Sequence, residues 1–244
     1  MAAFVSGASR GIGLAIVERL LTTTPAPVVA AGRSALESPG LQALAGQHPG
    51  RLTSLALDLR DPASIAAAAG AAGDRVGLLV HCAGTMHPSG RGENSVTRLE
   101  HDAMLDVMST NVMGPALLTK ALYPTLRRPS DEAPSKVVAV GAGVASIGTN
   151  GAGGWYSYRM SKTAMNAFMK NLSIEGRRHN VLAFTLYPQM VESALSKPYV
   201  KGNPYPELRT PEEVAERMME LVDAFGVEDT GRFVNMWSRD DIPW

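Results

Sequence analysis

Short apolar runs alternate along this chain with longer stretches whose apolar positions recur every three to four residues. The first pattern reads as buried strand and the second as amphipathic helix. Strands are predicted at 4–6, 28–31, 52–57, 76–80, 136–140, 181–186 and 233–236. Helices are predicted at 12–21, 36–47, 65–72, 97–109, 112–126, 156–178 and 211–225. Asp61-Pro62 suits the start of the third helix, and Thr210 suits the start of the last. Strand and helix alternating at this spacing imply a doubly wound α/β fold of about seven parallel strands, with helices on both faces. No internal repeat or interdomain linker interrupts it, so residues 1–244 are expected to form one domain.

The segments between elements carry the candidate chemistry. Strand 4–6 runs into Ser6-Gly7-Ala8-Ser9-Arg10-Gly11-Ile12-Gly13 and then directly into a helix. Gly7, Gly11 and Gly13 stand where a Cβ would block the turn, the approach of a pyrophosphate, or helix–strand packing. Unpaired N–H groups at the helix start would face phosphate. The spacing Gly-x-x-x-Gly-x-Gly differs from the usual dinucleotide fingerprint, and alone it also fits an ordinary turn between strand and helix. The other segments that follow strands change the weighing. Arg33, Asp58, the 81–84 segment, the Gly-rich loop at 141–154 and the Pro-rich loop at 188–206 are all expected at the carboxyl edge of the sheet, where such folds bind ligands. That makes the fold Rossmann-type. The 188–206 loop, long and proline-rich, is expected to act as a mobile lid over a substrate.

Composition narrows the picture. The 244 residues are 45% hydrophobic and 19% charged, with 23 basic and 23 acidic side chains in balance. No basic run suggests nucleic acid, and no apolar stretch reaches membrane-spanning length. Cys82 is the only cysteine, so no internal disulfide is expected. With a first strand so near the N-terminus, this points to a cytoplasmic location.

The motifs, taken in order, resemble the short-chain dehydrogenase/reductase family across nearly the whole chain. Ser6–Gly13 looks like its cofactor turn, and Ala83-Gly84 like the end of its Asn-Asn-Ala-Gly segment. Asn111 stands where a helix asparagine is expected, and Tyr158-Arg-Met-Ser-Lys162 matches Tyr-x-x-x-Lys. The last signature is weak alone, whereas the ordered set is specific. The 153–159 run and the C-terminal Ile242-Pro243-Trp244 resemble a narrower branch of C-factor-type proteins.

The resemblance implies a chemistry for each position. Tyr158 would donate or take a proton at a carbonyl or hydroxyl group. Lys162, four residues on and on the same helix face, would favour the phenolate and hold the nicotinamide ribose. Tyr156 lies on another face and has no such lysine. Asn111 would support a water-linked proton path, although the position also suits an N-cap of helix 112–126. The implied cofactor set is Gly7, Ser9, Arg10, Gly11, Ile12, Gly13, Arg33, Ser34, Asp58, Leu59, Ala83, Gly84, Lys162, Pro188, Gln189, Val191 and Ser193, with Asp58 on the adenine. Arg33 after the second strand, together with Arg10, suits the 2′-phosphate of NADP rather than the bare ribose of NAD.

Three departures stand out. Ala142 occupies the place of the family's catalytic serine, so Ser146 is either its replacement or a plain loop serine. His81-Cys82 replaces two asparagines and reads as a structural histidine beside a small apolar filler. Gln189 stands where the family has glycine, which puts the turn there in question. Two functions follow. One is an NADP(H)-dependent carbonyl reductase or alcohol dehydrogenase. The other is a non-enzymatic dinucleotide-binding signalling or scaffold protein, since fold does not fix function. Met86, Trp155, Met190, Leu195 and Tyr199 suggest a hydrophobic carbonyl or alcohol as substrate. The resemblance also implies a homodimer or homotetramer.

Overall fold

The computed structural model describes residues 1–128, 131–200 and 208–244. Its elements in chain order are β1 (Ala2–Ser6), α1 (Gly11–Thr23), β2 (Val28–Gly32), α2 (Pro39–Gln47), β3 (Leu52–Ala56), α3 (Pro62–Gly70), β4 (Val76–His81), α4 (His101–Met108), α5 (Gly114–Leu126), β5 (Ser135–Val140), α6 (Tyr156–Gly176), β6 (Val181–Tyr187), α7 (Lys197–Val200), α8 (Pro211–Ala224) and β7 (Phe233–Asn235). The strands form one seven-stranded sheet in the order β3-β2-β1-β4-β5-β6-β7. Every pairing is parallel. The strand order reverses direction between β1 and β4, and in folds of this kind ligands bind there, beyond the carboxyl ends of the strands.

Alternation along each strand feeds two cores. Ala3 and Val5 of β1, Val80 of β4, and Leu182, Phe184 and Leu186 of β6 pack on α1 and α8 with Ile16, Leu20 and Met218. Phe4, Leu79, Val181 and Ala183 point the other way, onto Leu118 and Leu122 of α5 and Met169 of α6. Both faces are therefore dry, as an all-parallel sheet requires.

Helix boundaries follow local chemistry. Asp61 accepts the Ala63 N–H at 2.9 Å, with Pro62 in the first turn of α3. Thr210 and Glu213 form a reciprocal capping box at the start of α8. The helix expected from residue 36 begins instead at Pro39, because Ser38 caps it by accepting the Leu41 N–H. The helix expected at 97–109 begins at His101, after a separate 3₁₀ turn at Val96–Arg98. The expected break between 109 and 112 is absent. A π-helical turn, Ser109–Met113, joins α4 to α5 without interruption. Part of the 188–206 loop forms α7, and residues 201–206 of the expected lid lie outside the described residues.

At the β1–α1 turn, Gly7 has φ +75°, and a Cβ there would lie 2.5 Å from the Ala83 nitrogen. A Cβ on Gly13 would lie 2.2 Å from the Gly7 carbonyl oxygen, with backbone on both sides and no side chain able to move aside. Gly13→Ala is expected to cost about 1–3 kcal/mol of stability, typical of overpacking against rigid neighbours. Thermal unfolding checks this, and an unchanged Tm would refute the packing account.

Candidate active site

Every segment singled out for chemistry except Asn111 and the tyrosine helix follows a strand end, and those two pack against the same edge. At the adenine side, Arg10 is the N-cap residue of α1 and makes no side-chain capping bond. Arg10, Arg33 and Ser34 are exposed. Ser9 is tied down by the Ser38 hydroxyl, which donates to its carbonyl at 2.8 Å. The site of a Gly11 side chain is open, with nothing within 4 Å. Open glycine, a helix start without a side-chain cap and two exposed guanidinium groups fit a phosphate-bearing dinucleotide.

Asp58 is held by Arg60, which donates to it from its backbone N–H and twice from its guanidinium, at 2.7–3.0 Å. Arg60 also pairs with Asp106 at 2.9 Å. Hydrogen bonds from Arg60 and its charge, with a smaller push from Arg33, hold Asp58 down to about 2 against the opposing effect of burial. Leu59 is buried beside it.

The catalytic side centres on Lys162. The residue is 7% exposed, and its ammonium donates to the Val140 carbonyl at 2.9 Å. Burial pushes it down to about 8, with Cys82 opposing. A Cβ on Gly84 would sit 3.6 Å from both Lys162 Nζ and Asn111 Oδ1, so the two groups face each other across that glycine. Asn111 is not an N-cap. It sits inside the π turn, where its Oδ1 accepts the Thr85 N–H at 2.8 Å and its amide donates to the Thr85 carbonyl at 2.7 Å and to Ser161 at 2.9 Å. Ser161 in turn donates to the Tyr158 carbonyl at 2.8 Å. The extra residue of a π turn re-aims one side chain without ending the helix.

Tyr158 is 8% exposed, and its ring lies 5.9 Å from Lys162 Nζ. The expected pull toward phenolate is not what the protein alone produces. Burial, then Tyr187 and Tyr199, raise the phenol above its ordinary range. Its neighbours are Met86 and Ala142, with Val144, Trp155 and Tyr199 packed around them. Trp155 and Tyr199 meet edge to face at 4.8 Å, and the Gly92 N–H donates to the Tyr199 hydroxyl at 2.7 Å. Of the suggested substrate wall, Leu195 stays 36% exposed and is not part of this cluster.

Ser146 is placed differently from the expectation of a substrate donor. It is buried, and its hydroxyl accepts the Thr149 N–H at 3.2 Å. No hydrogen bond joins it to Tyr158 among the described residues, and Ala142 is the residue that packs on the tyrosine. After β6, Gln189 adopts φ +66°, the left-handed conformation usual for glycine, so the turn survives without one. Val191 is buried and bridges to Arg209, while Pro188 accepts the Trp237 indole N–H at 3.0 Å. The Ser193 hydroxyl accepts the Ser196 N–H at 3.1 Å, a local turn contact. His81 is neutral and structural. Thr119 donates to Pro115, so His81 Nε2–H donates to Thr119 at 2.8 Å. Burial, with Lys162 nearby, pushes His81 down to about 3. Burial pushes Cys82 up to about 12, far from a reactive thiolate.

One group escapes a sequence reading altogether. Glu93 is 4% exposed, and its carboxyl group accepts both the N–H and the hydroxyl of Ser157. Its carbonyl accepts the Trp155 N–H at 2.6 Å. A distant loop thereby caps the helix that carries Tyr158. A glutamate in a polar loop gives no local sign of this.

The family model for short chain dehydrogenase matches residues 1–204. An uncharacterized oxidoreductase of Schizosaccharomyces pombe is 27% identical, over 94% of this chain and 93% of its own. The C-signal protein of Myxococcus xanthus is 29% identical, over 60% of this chain and 81% of its own. Among solved structures, the NADPH-bound carbonyl reductase from chicken fatty liver superposes with a TM-score of 0.87 at 28% identity, covering 100% of this chain and 98% of that one.

Two outcomes follow from the electrostatics. Lys162 and His81 both have depressed values in the folded state, so the unfolded chain binds more protons wherever they differ. Stability should therefore rise with pH from about 3 to 6.5 through His81, and again above about 8 through Lys162. Lys162→Met should raise Tm at neutral pH by roughly 3–10 °C, because the cost of burying the ammonium outweighs one lost hydrogen bond. A lower Tm in calorimetry would contradict this. Ser146→Ala is expected to keep its turnover, and a collapse of kcat would return that serine to the chemistry.

Proposed function

Because the chain belongs to the short-chain dehydrogenase family of oxidoreductases, we propose that it interconverts a carbonyl and an alcohol with NADP(H), on a small hydrophobic substrate. The observation that carries this is the gathering of Tyr158, Lys162 and Asn111 at the sheet edge, with the lysine and asparagine facing each other across Gly84. The carbonyl reductase of chicken liver, similar over its whole length, supports the same reading through its bound NADPH.

When bound, the reduced nicotinamide supplies the hydride that a carbonyl carbon accepts. The rest is the work of this chain. Tyr158, kept protonated by its burial, donates its phenolic proton to the carbonyl oxygen as charge builds there. Lys162 then stabilises the phenolate by its charge and holds the ribose hydroxyls. Asn111 fixes the Thr85 strip and, through Ser161, the backbone of Tyr158. Met86, Trp155 and Tyr199 exclude water from the reacting atoms and give the site its apolar character. Arg10 and Arg33 take the 2′-phosphate, and Asp58, already fixed by Arg60, meets the adenine. The described part of the expected lid, residues 188–200, would lie over the substrate, with the bridge from Val191 to Arg209 as its stem.

A second reading is a dinucleotide-binding protein without turnover. The alanine at position 142, against Tyr158, is the observation in its favour. The oligomer we propose is a homodimer or homotetramer through Leu105, Met113, Leu117, Met160 and Ile174. They lie on α4, the π turn, α5 and α6 and are 39–64% exposed. Light scattering tests it.

Two measurements test the catalytic reading. NADPH should bind at least tenfold tighter than NADH, about 1.4 kcal/mol, and Arg33→Ser should narrow the gap. Equal dissociation constants would refute the NADP assignment. Against a panel of aromatic and aliphatic carbonyls, NADPH consumption should fall by about 10²–10⁴-fold in Tyr158→Phe. Tight NADPH binding without consumption would favour the second reading.

A further inference from the structure

We propose that the Tyr187 hydroxyl donates the second hydrogen bond to the substrate oxygen, in the place that Ala142 leaves without a donor. The inference rests on the carbonyl-reduction reading above. It starts from a gap: the side chain that packs on Tyr158 at position 142 is a methyl group. The hydroxyl of Ser146 is engaged with the Thr149 N–H.

Tyr187 is the last residue of β6, and its backbone is fixed. Its carbonyl accepts the Met236 N–H at 3.0 Å, and it pairs in register with Asn235. One residue earlier, the Leu186 carbonyl accepts the Gly141 N–H at 2.8 Å, which locks this strand end to the start of the 141–154 loop. From there the Tyr187 side chain lies across Gly143. A Cβ on that glycine would be 3.0 Å from Tyr187 Cζ and 3.2 Å from its Oη. The hydroxyl thus sits against the residue adjoining Ala142, and only the lack of a side chain at 143 lets it do so. The ring is half-buried. Tyr187 is also near enough to Tyr158 to raise its phenol, after the larger effect of burial.

In that position the phenol O–H would donate a hydrogen bond to the carbonyl oxygen, and the bond would strengthen as negative charge develops there. The proton transferred is that of Tyr158, so atoms and charges balance as they do without Tyr187.

Tyr187→Phe removes one oxygen and keeps the ring. It should lower kcat by roughly ten- to a thousandfold, the range for losing one polarising donor, with NADPH affinity unchanged. Ala142→Ser in the Tyr187→Phe background should restore part of the loss, which a merely structural role for Tyr187 would not allow. Gly143→Val leaves Tyr187 present but displaces its ring, and should reproduce the drop. If Tyr187→Phe keeps full kcat while Tyr158→Phe abolishes it, the inference fails and the carbonyl-reduction reading stands. Should no carbonyl be reduced, tyrosine labelled with ¹³C at Cζ decides independently. The Tyr158 resonance, identified by its loss in Tyr158→Phe, should move on Tyr187→Phe. An unmoved resonance overturns the shared site.

Discussion

A lysine ammonium kept out of water sets the terms for everything around it. Lys162 cannot be solvated at 7% exposure, so its neighbours must supply what water would. Val140 offers a carbonyl from the end of β5, and Asn111 presents its amide oxygen across Gly84. His81 answers in the opposite sense, kept neutral first by its burial and then by the lysine charge nearby. Burial brings the ammonium well below the ordinary lysine range, as is common for groups at functional sites.

The π turn follows from the same demand. A regular helix from α4 to α5 would carry residue 111 past the position from which an amide can reach Thr85 and Ser161 together. One extra residue in the turn corrects the aim. The fold accepts a weaker helical hydrogen-bond pattern in exchange for a fixed polar group beside the lysine.

The fold was legible because periodicity and glycine placement report on backbone constraints that act locally. The Gly7–Gly13 turn, the Asp61-Pro62 start and the Thr210 cap all encode their geometry within a few residues. The candidate site was legible only in its signature pieces. Asn111 also suited a cap, because a π turn has no sequence period of its own. Ser146 looked like a replacement hydroxyl because spacing along a loop does not say where a side chain packs. Ala142 against Tyr158 is a tertiary fact. Gln189 raised doubt about its turn, yet strand pairing on one side and the Val191 bridge on the other hold it at positive φ. The local cost of that conformation, on the order of 1–2 kcal/mol, is small beside the contacts that impose it.

The capping of α6 by Glu93 has a consequence for how this protein could change. The loop that carries Glu93 also carries Met86 and Gly92, which line the apolar cluster and hold Tyr199. The segment that would have to vary to admit a new substrate is therefore the segment that fixes the first turn of the tyrosine helix. In laboratory evolution, insertions or charge changes between residues 86 and 94 would loosen the proton donor as they reshape the cavity. Variation at 194–198, beyond the expected cofactor contacts and before Tyr199, which meets the cluster, would be less entangled. Selection for new specificities should accumulate its substitutions there first.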